Sequence, residues 1–265
     1  LIVPLELVIR LQFQGQFIWK IKRIVLNLHF NQIANMKLIQ YLTELFYPST
    51  CVYCSTSISD QHSIFCSECL MMTVFTNFQN GWDNEMTQRL ISIGQLKNAY
   101  APIFFKKESP IAGLFYKIKY GNRPDLAQRF GVYLARCVKD LKKCGSDIDV
   151  ITFVPIHPLK KAKRGYNQSE IIASSMGNEL DIPCIPLLSR INNIDTQTHF
   201  GRIDRLKNQE GSIQCDAKII QYKHVLIVDD ILTTGATIET CSDAIEKVNP
   251  KVCISVATLA QADNW

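Results

Sequence analysis

The stretch VLIVDDILTTGAT, Val225 to Thr237, constrains the fold more than any other part of this 265-residue chain. An apolar run here delivers two acids and then enters a turn rich in hydroxyl groups. Such runs read as strands buried on both faces, and those belong to parallel sheets covered by helices. The rest of the chain repeats the theme. Apolar patterning predicts strands over 99–105, 149–156, 184–189, 223–232 and 251–259. Helical spacing predicts helices over 111–120, ending at Gly121, and over 125–145, 169–180 and 236–248. Strands alternating with helices imply parallel crossovers, hence an α/β fold with a doubly wound parallel sheet. At roughly 150 residues per domain the length allows one or two domains. A composition of 47% hydrophobic and 20% charged residues is that of a globular protein.

Open α/β sheets place ligands at the carboxyl ends of their strands, which is where Asp229 and Asp230 fall. Their carboxylates suit the vicinal hydroxyls of a sugar. The turn Thr233, Thr234, Gly235, Ala236, Thr237 offers hydroxyls and backbone N–H groups at a helix start, where the helix dipole favours a phosphate. The combination suits a ribose 5-phosphate; the alternative is a threonine-capped helix after an ordinary strand. A second strand leads into VPIHPLKKAKRGYNQ, with four cations in the five positions 160–164. If both loops open on one edge of the sheet, Lys163 and Arg164 face further phosphates. Otherwise this is a solvated basic loop. Residues 190–213 show little periodicity, as in a functional flap or a disordered segment.

Four of the ten cysteines form two pairs, Cys51-x2-Cys54 and Cys66-x2-Cys69, separated by eleven residues. Paired thiolates at this spacing converge on one ion, and two pairs complete the tetrahedron that Zn2+ prefers. With all four positions taken by protein, such a site is structural. Two disulfides or buried free thiols are the alternatives. The remaining cysteines lie among apolar or helical neighbours, a usage that suits a reducing compartment.

Residues 1–35 are apolar and aromatic, but Arg10, Lys20, Lys22 and Arg23 keep any run below the ~18 apolar residues of a membrane span. They lack the order of a secretory signal. Met36 opens a segment that scans as a natural start, so 1–35 is expected to be a non-native or dispensable extension. The alternative is a surface amphipathic helix. Without the extension the formal charge falls from +5 to +2, too small an excess to identify a nucleic-acid binder. The domains expected are therefore this extension, a four-cysteine zinc-binding domain with linker over 36–95, and a larger α/β domain over 96–265.

The Val225–Thr237 window resembles the phosphoribosyl pyrophosphate (PRPP) motif of the type I phosphoribosyltransferases. The resemblance implies that Asp229 and Asp230 hold ribose hydroxyls and that Thr233 to Thr237 bind the 5-phosphate. With cysteine pairs ahead of it, and with LFYPSTCVYC, the K-Y-G at 119–121, R-G-Y-N-Q and the T-Q-T at 196–198, the chain resembles the ComF family of competence proteins over about 37–262. Family likeness implies a small zinc-binding domain before a type I phosphoribosyltransferase-like sheet. It also implies a cytoplasmic role in taking up transforming DNA, without membrane insertion and alongside other competence proteins. As an enzyme it would hold PRPP with Mg2+ while an unidentified acceptor displaces pyrophosphate, stabilised by Arg164, Lys163 and the flap. As a binding module it would grip single-stranded DNA through its cations and aromatics such as Tyr120, Tyr166 and Phe200.

Overall fold

The computed structural model describes residues 50–58, 63–76, 78, 84–107, 109–139, 148–190 and 212–262. Residues 1–35, the segment 37–46, Cys144, the T-Q-T at 196–198 and Phe200 lie outside them. Apart from Ser57 and Ile58, the described residues belong to one compact unit, Thr50–Thr56 with Gln61–Trp265.

The elements in chain order are α1 (Ser67–Met71), α2 (Glu85–Arg89), β1 (Leu96–Tyr100), β2 (Ile103–Phe105), α3 (Pro110–Tyr120) and α4 (Pro124–Lys139). They continue with β3 (Val150–Phe153), α5 (Pro158–Arg164), α6 (Gln168–Leu180), β4 (Leu188–Arg190), β5 (Ile213–Cys215), β6 (His224–Leu232), α7 (Ala236–Val248) and β7 (Cys253–Ala262). Strands β1, β7, β6 and β3 lie in that order in a parallel sheet, and β2 continues beside β7 where β1 stops. This is the expected doubly wound α/β architecture. The strands of this sheet all run one way, so their carboxyl ends meet at one edge.

The expected strand over 99–105 is two strands, because Pro102 has no N–H for the ladder. The run at 184–189 contributes a bridge between Cys184 and Ile151 and then the start of β4, with Pro186 breaking it. β4 pairs antiparallel with β5, Arg190 against Ile213, so a short ribbon joins the chain on either side of residues 191–211.

Val225 and Ile227 of β6 pack with Met86, Leu90, Ile238, Cys241, Ile245, Ile254 and Val256 on the α2 and α7 side. Their alternates Leu226 and Val228 are equally buried, as a strand with both faces covered requires, and α6 packs against the same strand. Helices α4 and α6 approach closely at Gly131, where a Cβ would fall 2.5 Å from the Ile172 carbonyl oxygen. At the amino end of the sheet, Asp149 accepts from the N–H groups of Lys223 and His224. The buried His224 ring meets Ser255 Oγ at 2.8 Å. No helix among the described residues is long and apolar enough to cross a membrane.

Candidate functional site

Strand β6 carries its apolar run to the carboxyl edge and there presents Asp229 and Asp230, which take different partners. Asp229 Oδ1 accepts from Ser169 Oγ at 2.7 Å and from the Asp230 N–H at 2.8 Å. Asp230, 8% exposed, has Lys119 Nζ at 2.9 Å from Oδ2, and its Oδ1 accepts from the Ile231 N–H. Burial, and after it the neighbouring charge of Asp230, pushes the Asp229 carboxyl up to about 7.

Past Leu232 the chain turns through exposed Thr233 and Thr234 to Gly235, whose φ of 91° is a left-handed conformation suited to glycine. Gly235 also sits where a Cβ would meet Leu90 Cδ2 at 3.0 Å. Helix α7 starts there without a side-chain cap, although Thr234 Oγ1 lies 3.5 Å from the Ala236 nitrogen. Its first-turn N–H groups are thereby available to an anion, with partly buried Ala236 and Thr237 beside them.

The loop rests on a residue that sequence reasoning missed. Arg89, at the end of α2, donates from Nη1 to the carbonyls of Thr233 (3.0 Å) and Ala262 (2.8 Å), while Nη2 pairs with Glu85. The Thr233 carbonyl is thereby tied back to α2 and to the end of β7.

The basic segment expected as a loop is largely the helix α5. Pro158 at its first turn and the His157 ring, accepting from the Leu159 N–H, start it, and Gly165 at φ 82° stops it. Spaced one, three and four residues apart, the four cations share one broad face of this helix, but they take different partners. Lys163 is exposed. Lys161 pairs with Glu170. Arg164 donates to Gln168 Oε1 at 3.2 Å and to Tyr120 Oη at 3.4 Å, its guanidinium 5.1 Å from the Tyr120 ring centre. Asn167 bonds the Val154 carbonyl and caps α6, which fixes the turn from β3. The Tyr166 hydroxyl donates to the Ile118 carbonyl and so is turned inward. The first turn of α6 links the two halves of the site, with Gln168 on Arg164 and Ser169 on Asp229.

The four paired cysteines form a separate centre, their Sγ atoms all within 4.8 Å of one another. Tetrahedral Zn2+ with bonds of about 2.3 Å would space its sulfurs about 3.8 Å apart, and Cys54 and Cys66 Sγ lie 3.7 Å apart. The Cys69 N–H points at Cys66 Sγ. Burial, reinforced by the neighbouring sulfurs, raises the Cys69 thiol well above its ordinary range, a cost that a bound cation relieves. All the described cysteines are free thiols rather than disulfides. The cluster can therefore hold a metal ion. Phe65, between the pairs, sets its ring edge-on against Phe130 and Tyr133 of α4, at 6.2 and 6.1 Å.

Residues 167–264 match the family model described as the phosphoribosyl transferase domain. Competence protein F of Haemophilus influenzae is 27% identical over 158 residues, covering 58% of this chain and 69% of that protein. The DNA utilization protein YhgH of Escherichia coli K12 is 25% identical over 154 residues, covering 57% of this chain and 63% of its own length. Among solved structures, an adenine phosphoribosyltransferase superposes with TM-score 0.35 at 12% identity, over 55% of this chain and 74% of that one. The glutamine PRPP amidotransferase of B. subtilis, complexed with ADP and GMP, gives TM-score 0.37 at 17% identity, over 54% and 30%.

Proposed function

The chain is a ComF-family protein with a phosphoribosyltransferase-type domain, and from that premise we propose that its site binds PRPP or a related ribose phosphate in the service of DNA uptake. The observation that carries this reading is the continuous run from β6 to α7. It sets Asp229 and Asp230 beside an uncapped helix start at the carboxyl edge of the sheet. The carboxylates accept from the ribose 2- and 3-hydroxyls, and Thr233 to Thr237 cradle the 5-phosphate. Arg164 stands by the 1-diphosphate. Mg2+ would accompany PRPP and supply neutralisation of its phosphate charge. In a transfer reaction the anomeric C–O bond breaks, pyrophosphate leaves with the electron pair, and the acceptor forms the new bond and loses a proton. This chain's part is to orient the ribose and stabilise the departing charge, a role for Arg164 and, more remotely, Lys163. The four-cysteine centre is a structural Zn2+ site, and the protein works in the cytoplasm.

Calorimetric titration tests this. Asp229→Asn and Asp230→Asn should each weaken PRPP and ribose 5-phosphate alike, by roughly 1.5–3 kcal/mol for a hydrogen bond to a charged group. Arg164→Ala should weaken PRPP and barely affect ribose 5-phosphate. Equal losses for the two ligands in Arg164→Ala would remove Arg164 from the diphosphate.

One observation favours a second reading, in which the fold serves as a module for single-stranded DNA. Tyr116 and Tyr120 are exposed, their ring centres 5.1 Å apart, and Arg164 extends the row over Tyr120. Such a row can stack bases while nearby lysines meet phosphates. Measuring pyrophosphate release from PRPP across candidate acceptors, with and without single-stranded DNA, separates the readings. Release that requires an acceptor identifies a transferase; DNA binding with no release identifies the module.

A further inference from the structure

Three consecutive residues at the end of α3 reach three different parts of the ribose-phosphate site. The Ile118 carbonyl accepts from the Tyr166 hydroxyl, Lys119 Nζ lies 2.9 Å from Asp230 Oδ2, and Tyr120 takes both a hydrogen bond and ring contact from Arg164. The turn ends on Gly121, whose N–H bonds the Lys117 carbonyl and where a Cβ would lie 2.7 Å from that oxygen. Any other residue there would shift the turn that carries all three contacts.

Two adjacent carboxylates repel the phosphates of any ligand whose sugar they hold. Lys119 is the cation that touches them among the described ion pairs, and its side chain keeps 26% exposure while that of Asp230 keeps 11%. An ammonium has three donors, and the contact with Asp230 uses one. The ribose 1-oxygen is next to the 2-hydroxyl, so if Asp230 holds that hydroxyl the diphosphate comes within reach of Lys119, the ion-pair partner of Asp230. Lys119 and Arg164 are steadied by the same turn of α3.

We propose that Lys119 is a ligand-binding residue of this site, an ammonium that bridges Asp230 and the 1-diphosphate of the bound ribose. This rests on the ribose-phosphate reading and adds to it a third wall, carried by α3, that selects for a diphosphate at the anomeric position. The purely structural alternative makes Lys119 a counter-ion that competes with the sugar for Asp230.

Titration of the full chain with PRPP, inorganic pyrophosphate and ribose 5-phosphate, each with Mg2+, distinguishes the two. Lys119→Met should lose about tenfold or more for PRPP and pyrophosphate, the size of one charge-assisted hydrogen bond, and stay within about twofold for ribose 5-phosphate. Lys119→Arg should recover part of the loss, since it restores the charge. Lys119→Gln, polar and of similar length, serves if the methionine variant does not fold. Unchanged or tighter PRPP binding in the methionine or glutamine variant would overturn the proposal and leave the ribose-phosphate reading standing. If the wild-type chain binds neither PRPP nor ribose 5-phosphate, that reading falls and the role of Lys119 falls with it.

Discussion

Asp229 and Asp230 adjoin in the chain yet sit in different electrostatic surroundings, and the difference sets how the site responds to pH. The Asp229 carboxyl, raised to about 7, faces Asp230, Ser169 and Lys119, with the Cys241 thiol also close enough to couple to it. In the unfolded chain an aspartate titrates near ~3.9. Between these values the folded protein holds a proton that the unfolded chain has released. Asp229 therefore favours folding at low pH, and this contribution is lost as pH rises through about 7. Urea denaturation of wild type and Asp229→Asn should differ in slope between about pH 4 and 8. Wild type should lose more stability than the variant as pH climbs, and parallel curves would contradict the raised carboxyl. Arg89 bears on the neighbouring loop at Thr233. Arg89→Met frees the Thr233 carbonyl and should weaken ribose 5-phosphate by roughly 1.5–3 kcal/mol, while inorganic pyrophosphate, bound away from that loop, is unaffected. Calorimetry of both ligands measures the contrast. The place of the acid pair was legible because an apolar run that closes on two acids marks where a buried strand reaches the edge of its sheet. Arg89 was not, since it acts on a loop 144 residues away and nothing in its own stretch sets it apart.

At the scale of elements, long apolar runs were legible and short polar connections were not. Strands β6 and β7 and helices α6 and α7 follow from patterning that a core enforces along their whole length. The basic segment misled because charge density says nothing of backbone. Pro158 at a first turn with Gly165 seven residues later is a helix signal that the lysines and arginine obscured. The β4–β5 ribbon is equally hidden, since each strand is three residues long and its pairing is non-local. The two left-handed glycines give an ordered prediction. Gly165→Ala meets nothing within 4 Å, so it incurs only the conformational penalty, on the order of 1–2 kcal/mol. Gly235→Ala bears the same penalty and also crowds Leu90 Cδ2. Thermal melts should therefore rank Gly235→Ala below Gly165→Ala, with ribose 5-phosphate binding lost chiefly in the former. The reverse order would mean that α2 does not constrain the Thr233–Thr237 loop.

Across the whole molecule, the cysteine spacing announced a four-thiol cluster able to hold a metal but not what that cluster rests upon. The four cysteines flank Val52, Ile64 and Phe65, all buried, and Phe65 reaches Phe130 and Tyr133 on α4, which packs in turn on α6, the helix that carries Ser169. Aromatic contacts carry no sequence signature across this distance, so the coupling appears only in three dimensions. Purified protein is expected to hold one equivalent of Zn2+, and Cys51→Ser to hold less. Because Phe65 is fixed by the cysteine pairs on either side of it, removing the metal should release its ring from α4 and lower the melting temperature of the α/β sheet as well. Phe65→Ala should destabilise by roughly 3–5 kcal/mol, the usual cost of deleting a buried phenyl ring, while keeping its metal. The two perturbations share one contact, so their effects should not add. Chelation should shift the melting of the sheet in the wild-type chain and shift it much less in Phe65→Ala. Equal shifts in the two proteins would show that metal and sheet are stabilised independently, and that the edge-on packing of Phe65 on α4 transmits nothing between them.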